Sequence, residues 1–242
     1  MDVRLSGYEN ISTIDYLGKL STVFFFSGCN YRCRFCYNHM EIYENSGSIV
    51  ELSKILDIIE ENSIVVDAVV CTGGEPCLQR EALRKVLEKS KECGLSTMVD
   101  TNGSRPEVLM ELVECGLVDR VAIDAKAPFN WRWREMVGVN EDPRNVLESM
   151  RIVGEDRLEV RTTVVPDSQA SPHLVPKIVE AIKCYTNVYF LQQFDSSNPL
   201  DEKLRGIETV DRDTLIALAN YASLNGIETV GVKLLSGELI YV

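Results

Sequence analysis

The sequence predicts an α/β protein organised as a partial (β/α)6 barrel, and three observations predict it. Short apolar runs alternate with amphipathic stretches of helical spacing six times along the chain, and such alternation favours parallel strands joined by right-handed crossovers. Successive units start roughly 25–35 residues apart, the size of one strand with its crossover helix. Polar and cysteine-bearing groups follow the ends of the apolar runs, and in parallel α/β folds the C-terminal strand ends carry the active site. Six units fall short of the eight that close a barrel, so the barrel is expected to stay open on one side and to admit a bulky substrate. No Pro/Gly/Ser-rich linker or charge block interrupts the chain. That predicts one domain over 1–242, with an N-terminal extension or hairpin over 1–20, a core over 21–205, and a C-terminal helix with closing strands over 206–242.

Residues 1–20 read as a polar lead-in, in which 11–16 and 19–26 flank Gly18 as an extended hairpin running into the first core strand. Leu52, Ile55, Leu56 and Ile59 recur at helical spacing and predict a helix over 51–61. A buried-type strand is expected over 64–71. Ala82, Leu83, Val86 and Leu87 mark a second helix, stopped at Gly94, and 95–99 reads as a strand. Ser104-Arg105-Pro106-Glu107 combines a capping box with proline in the first turn, so a third helix opens there and runs to Gly116. Further strands are expected over 118–123, 158–165 and 188–191. A helix opened by Pro143 carries Val146, Leu147 and Met150, and another carries Leu174, Val175, Ile178, Val179 and Ile182. Leu215, Leu218, Ala219 and Ala222 form a last helix ending at Asn225-Gly226, followed by short closing strands over 228–235 and 239–242.

The formal net charge of −12 argues against nucleic acid or an anionic membrane as partner, since either wants a basic face. The amino-terminal Met1-Asp2-Val3-Arg4 lacks a signal layout, and no apolar stretch approaches the ~20 residues of a membrane span. Eight cysteines in such a chain read as reduced thiols or metal ligands, and the expected location is cytoplasmic.

The densest chemistry lies after the first apolar run. In Phe26-Ser27-Gly28-Cys29-Asn30-Tyr31-Arg32-Cys33-Arg34-Phe35-Cys36 three cysteines stand at the spacing Cys-x3-Cys-x2-Cys. Three thiolates can hold three corners of a [4Fe–4S] cube and leave one iron open for chemistry. Two other readings stand beside this one: a zinc site, with His39 as a fourth ligand, or packing cysteines. Four more groups sit at strand ends, and Arg161 lies on the fifth strand. Thr72-Gly73-Gly74-Glu75-Pro76 reads by itself as a turn opened by glycine and closed by proline, and Asp100-Thr101-Asn102-Gly103 as a turn and helix start. Asp124-Ala125-Lys126 and Arg161 read as a salt-bridged rim, and Gln192-Gln193 closes the set.

The cysteine spacing, with Phe35 just before the third cysteine, resembles the signature of the radical S-adenosylmethionine (SAM) superfamily. The phrases Tyr16-Leu17-Gly18-Lys19, Cys36-Tyr37-Asn38, Asp100-Thr101-Asn102-Gly103-Ser104, Asp124-Ala125-Lys126-Ala127-Pro128, Arg161-Thr162-Thr163-Val164-Val165 and Leu191-Gln192-Gln193-Phe194 resemble one subgroup over nearly the whole chain. That subgroup is the anaerobic ribonucleoside-triphosphate reductase activating proteins, which are glycyl-radical-activating enzymes. The resemblance implies a TIM-like partial barrel of the radical SAM type and an oxidoreductase that cleaves SAM reductively to a 5′-deoxyadenosyl radical. It implies cluster ligation by Cys29, Cys33 and Cys36. Gly73 and Gly74 would meet the methionine amino group with freed backbone groups, and Glu75 with its carboxylate. Asp100, Thr101 and Asp124 would line a site near the SAM carboxylate, where some members hold a monovalent cation. Asn102 belongs to the same cofactor-binding run, and Lys126 and Arg161 would neutralise carboxylate charge there. The implied partners are the large subunit of anaerobic ribonucleotide reductase, whose glycine loses hydrogen, and a low-potential electron donor such as ferredoxin or flavodoxin. A radical SAM enzyme modifying a small molecule, peptide or RNA base is the alternative, and a zinc or iron–sulfur binding protein the non-enzymatic one.

Cys71, Cys77, Cys93, Cys115 and Cys184 lack mutual ligand spacing and are expected to be small buried hydrophobes. Trp131-Arg132-Trp133-Arg134 is expected to form a loop over the barrel mouth, and His39 and His173 to have surface or packing roles.

Overall fold

The computed structural model describes residues 1–43, 46–166 and 168–242, which form two compact units, Met1–Asn30 with Met40–Ala122 and Tyr31–His39 with Ile123–Val242. In the first unit β1 (Asp2–Ser12) pairs antiparallel with β2 (Ser21–Phe26), Tyr8 facing Phe24, and with β3 (Ser48–Glu51), Val3 facing Val50. β4 (Ala68–Gly73) runs parallel to β2, and β5 (Ser96–Thr101) parallel to β4. The helices α1 (Leu52–Asn62), α2 (Arg80–Glu92) and α3 (Pro106–Glu114) follow β3, β4 and β5. Val23, Val70 and Met98, one from each parallel strand, meet in a buried cluster with Tyr16. Their removal from water is the main stabilising term for these strands.

β6 (Arg120–Asp124) leads into the second unit, which continues with α4 (Trp131–Val137), α5 (Arg144–Val153), β7 (Leu158–Val164), α6 (Val175–Ile182) and β8 (Val188–Gln193). It ends with α7 (Arg212–Leu224), β9 (Thr229–Lys233) and β10 (Leu239–Tyr241). β7, β8 and β9 are parallel neighbours, and β10 closes antiparallel on β9.

Three expectations are corrected. The N-terminal lead-in is a full strand from Asp2, because Val3 and Leu5 turn into the core on one face while Arg4 between them is half-buried on the other. The Trp131–Arg134 stretch is helix α4. Trp133, Met136 and Val137 recur at helical spacing and are fully buried, and Asn130 caps the first turn by accepting the Arg132 N–H at 3.0 Å. No capping box forms at Ser104, and α3 begins at Pro106. Among the described residues no helix is long and apolar enough to cross a membrane.

Candidate active site

In the first unit the ends of β2 and β4 are joined by their backbones. The Gly74 N–H donates to Phe26 O at 2.7 Å and the Glu75 N–H to Gly28 O at 2.8 Å. A Cβ on Gly74 would lie 2.2 Å from Gly28 O, so only glycine lets the two loops touch. Glu75 follows with its side chain fully buried. One carboxylate oxygen accepts from Thr101 Oγ1 (2.7 Å) and the Cys77 N–H (3.0 Å), and the other accepts the Asn102 N–H (2.7 Å). Burial pushes this carboxyl above its ordinary range, and the Asn102, Thr101 and Cys77 donors pull it partly back. The group expected to meet an ammonium thus holds the end of β4 to the end of β5 from inside.

Thr101 is buried with it, and its hydroxyl also accepts the Gly103 N–H. Asp100 is half-buried, with Thr72 Oγ1 donating to it at 3.4 Å. Asn102 is buried beside Cys29, with its side-chain nitrogen 3.8 Å from the sulfur. Asn30 and Ser104 complete this group (Asn30 Nδ2 donates to Ser104 Oγ at 2.9 Å), and neither was singled out from the sequence as a functional residue. The position of Asn30, directly after a candidate ligand, was the available signal. Ser104 is engaged here and not as a helix cap, which is why the capping box is absent.

In the second unit the segment Tyr31–His39 carries Cys33 and Cys36. The Cys36 N–H donates to Cys33 O at 3.0 Å, a turn that sets these two cysteines three residues apart on one bend. The segment is anchored on both sides. The Arg32 and Arg34 N–H groups donate to Val137 O (2.8 Å) and Met136 O (3.0 Å) at the C-terminus of α4, where helix carbonyls lack partners of their own. Gly138, at φ +70°, ends the helix; a Cβ there would meet Arg32 O at 2.4 Å. On the other side the Leu200 and Asp201 N–H groups donate to Cys36 O and Arg34 O, and the Arg34 guanidinium pairs with Asp201 at 2.7 Å. The helix that the sequence hid as a loop is therefore the mount of the cysteine segment.

Asp124 ends β6 and accepts from Lys126 Nζ at 2.5 Å. Lys126 is nearly buried, with its ammonium 5.6 Å from the Phe35 ring centroid. Arg161 lies mid-strand on β7, and its Nε donates to buried Glu159 at 2.6 Å, with Lys233 Nζ 3.7 Å from the same oxygen. Glu159 was missed. Its signal was its place two residues before Arg161, on the same face of a strand. Gln193 ties down the C-terminal segment by donating to Val210 O (2.9 Å) and accepting from the Leu235 N–H (3.1 Å).

Cys29 and Cys36 are half-buried and Cys33 is buried, and sulfur donors of this kind suit iron–sulfur clusters. Among the described residues no group of three or more His, Cys, Asp and Glu side chains could hold a metal ion as placed, so the ligand assignment stands on donor chemistry and spacing. Of the remaining cysteines Cys71 and Cys77 are buried as expected, Cys93 is half-buried, and Cys115 and Cys184 are exposed, since they follow the exposed ends of α3 and α6. His39 reaches Asn198 (3.3 Å) and His173 reaches Ser171 (3.1 Å).

Residues 23–170 match the radical SAM superfamily, and the chain belongs to it. Membership implies a [4Fe–4S] cluster and SAM as cofactors. Within the superfamily the likeness is to activating enzymes. A protein of Methanocaldococcus jannaschii provisionally named a glycyl-radical enzyme activating enzyme is 32% identical over 98% of each chain. The pyruvate formate-lyase-activating enzyme of Clostridium pasteurianum is 26% identical over 90% of this chain and 96% of its own. The structure of QueE from Escherichia coli covers 96% of this chain and 94% of its own with a TM-score of 0.59 at 14% identity, which shows the fold alone. That fold is the expected one, an α/β partial barrel of the radical SAM type.

Proposed function

We propose that this chain is a cytoplasmic activase that takes a hydrogen atom from a glycine of anaerobic ribonucleotide reductase and leaves a stored glycyl radical. The observation that carries the reading is the likeness to a glycyl-radical enzyme activating enzyme along 98% of both chains. When bound, the cluster would supply the one electron that reductive cleavage of SAM to a 5′-deoxyadenosyl radical requires. Cys29, Cys33 and Cys36 are the cluster ligands. Gly73 and Gly74 offer backbone groups to the methionine amino end, and Glu75 fixes the loop that presents them. Asp100 and Asp124 take the carboxylate end, directly or through a monovalent cation, while Lys126 and Arg161 offset its charge. Electrons come from a low-potential donor such as ferredoxin or flavodoxin. The acidic surface suits a donor or partner with a basic docking face.

A second reading has its own support, because the activating relative from Clostridium is named for pyruvate formate-lyase. The target would then be a glycyl-radical enzyme of that type. One experiment separates the two. Reduced protein and SAM are mixed without oxygen with the reductase large subunit, and separately with pyruvate formate-lyase, and electron paramagnetic resonance is recorded. The expected result is a glycyl doublet on the reductase with 5′-deoxyadenosine formed alongside it, and its loss with Cys33→Ala. A doublet on the lyase alone moves the assignment to the second reading. SAM cleavage with no protein radical on either rejects both.

A further inference from the structure

The side-chain amide of Asn102 has both ends engaged. Its Oδ1 accepts the Ser104 N–H at 2.9 Å, its Nδ2 donates to Asn30 Oδ1 at 2.9 Å, and Asn30 Nδ2 donates to Ser104 Oγ at 2.9 Å. This ring of three residues closes in one sense only. A backbone N–H cannot accept, so Oδ1 of Asn102 must face Ser104, and Nδ2 is left facing Asn30 and the sulfur of Cys29 at 3.8 Å. Asn30 is the chain neighbour of Cys29, so the ring also ties the amide to the backbone that carries the sulfur. Asn102 is buried, and its own N–H is held by buried Glu75. The donor is thus supported from two directions.

We infer that Asn102 is a positioning residue that aims an N–H at the Cys29 sulfur and raises the reduction potential of the cluster held there, which rests on the reading of Cys29 as a ligand. The positive end of an N–H dipole stabilises the added negative charge of a reduced cluster, and hydrogen bonds to the sulfurs are one of the protein's levers on potential. The amide has two hydrogens, so donation to Asn30 leaves one for the sulfur.

The test is a redox titration followed by electron paramagnetic resonance on the parent protein, Asn102→Leu and Asn102→Asp, each reconstituted anaerobically. Asn102→Asp keeps the side chain's size and the acceptor for the Ser104 N–H, so it reports where Asn102→Leu fails to fold. The parent is expected to bind about four irons. Each variant should bind as many and show a lower potential, with the ratio of reduced to oxidised cluster at the parent's midpoint falling about tenfold, equivalent to about 59 mV for one electron. Full iron with an unmoved potential overturns the tuning role while leaving the ligand reading intact. Loss of iron from both variants makes Asn102 a folding residue and also overturns it. Absence of iron from the parent rejects the ligand reading itself, and this inference with it.

Discussion

Two buried glutamates, one in each unit, are held in opposite ways. Glu75 is 0% exposed and takes three uncharged donors, two of them backbone N–H groups. Glu159 is 1% exposed and faces the guanidinium of Arg161, with the Lys233 ammonium close by. The first arrangement sets geometry, since its donors belong to strand ends and turns whose positions it fixes. The second balances charge, since its main partner is another side chain. A carboxylate answered by a side-chain cation can be removed together with its partner. One answered by backbone N–H groups cannot, because those donors survive every substitution of the residues that carry them except proline.

The largest effect is expected at Glu75. Glu75→Leu leaves three buried donors without an acceptor, each costing about 1–3 kcal/mol. Adding Thr101→Val should return little, since two N–H groups remain. Recovery of most of the stability in that double variant, measured by urea denaturation, would break the comparison. Next comes Glu159→Leu, which removes the buried carboxylate that the Arg161 guanidinium pairs with, at a cost of about 3–5 kcal/mol. Here Arg161→Met in the same chain should recover most of the loss, because a buried ion pair exchanged for apolar residues is often neutral. A double variant no more stable than the single one would erase the distinction between the two glutamates.

Asp119 sharpens the comparison as a mixed case, and has the smallest expected effect. It accepts from the Thr97 N–H (2.8 Å), the Thr97 hydroxyl (3.2 Å) and one cation, Lys91 (2.6 Å). Partial burial pushes its carboxyl up, but the Lys91 and Thr97 contacts outweigh it and the net direction is down. A depressed carboxyl contributes stability above the unfolded value of about 3.9 and loses it as pH falls through the lower folded value. Melting temperature measured from pH 6 to pH 2 should therefore fall more steeply for the parent than for Asp119→Asn. The group is partly solvated, so the difference should correspond to less than about 1 kcal/mol. Parallel curves would show that the contact carries no linkage.

Much of this architecture was legible. Val23, Val70 and Met98 lie in short apolar runs bounded by turn residues, a pattern that suits buried parallel strands, and those strands formed. The strand expected over 64–71 begins instead at Ala68. Ile64 and Val65 are exposed there, because pairing with β2 starts at Ser21 opposite Ala68 and apolar composition does not report register. Helix α4 was hidden because its arginines and exposed Trp131 mask the apolar spacing of Trp133, Met136 and Val137. In the candidate site the cysteine spacing and the strand-end glycines were readable as local patterns. The role of Glu75 was not, since its partners Thr101 and Asn102 stand 26 and 27 residues away. An acid beside glycines looks ligand-facing until the next strand end is in place.

The contact of Gly74 with Gly28 also bears on how this chain can vary over generations. Every missense change at a glycine codon adds at least one carbon at Cβ, and at position 74 that carbon would sit 2.2 Å from a carbonyl oxygen of the chain itself. No mild first step leads away from this residue by substitution alone. Lineages that alter it would have to shift the loop at Gly28 beforehand, so change at 74 is expected to trail change near 28.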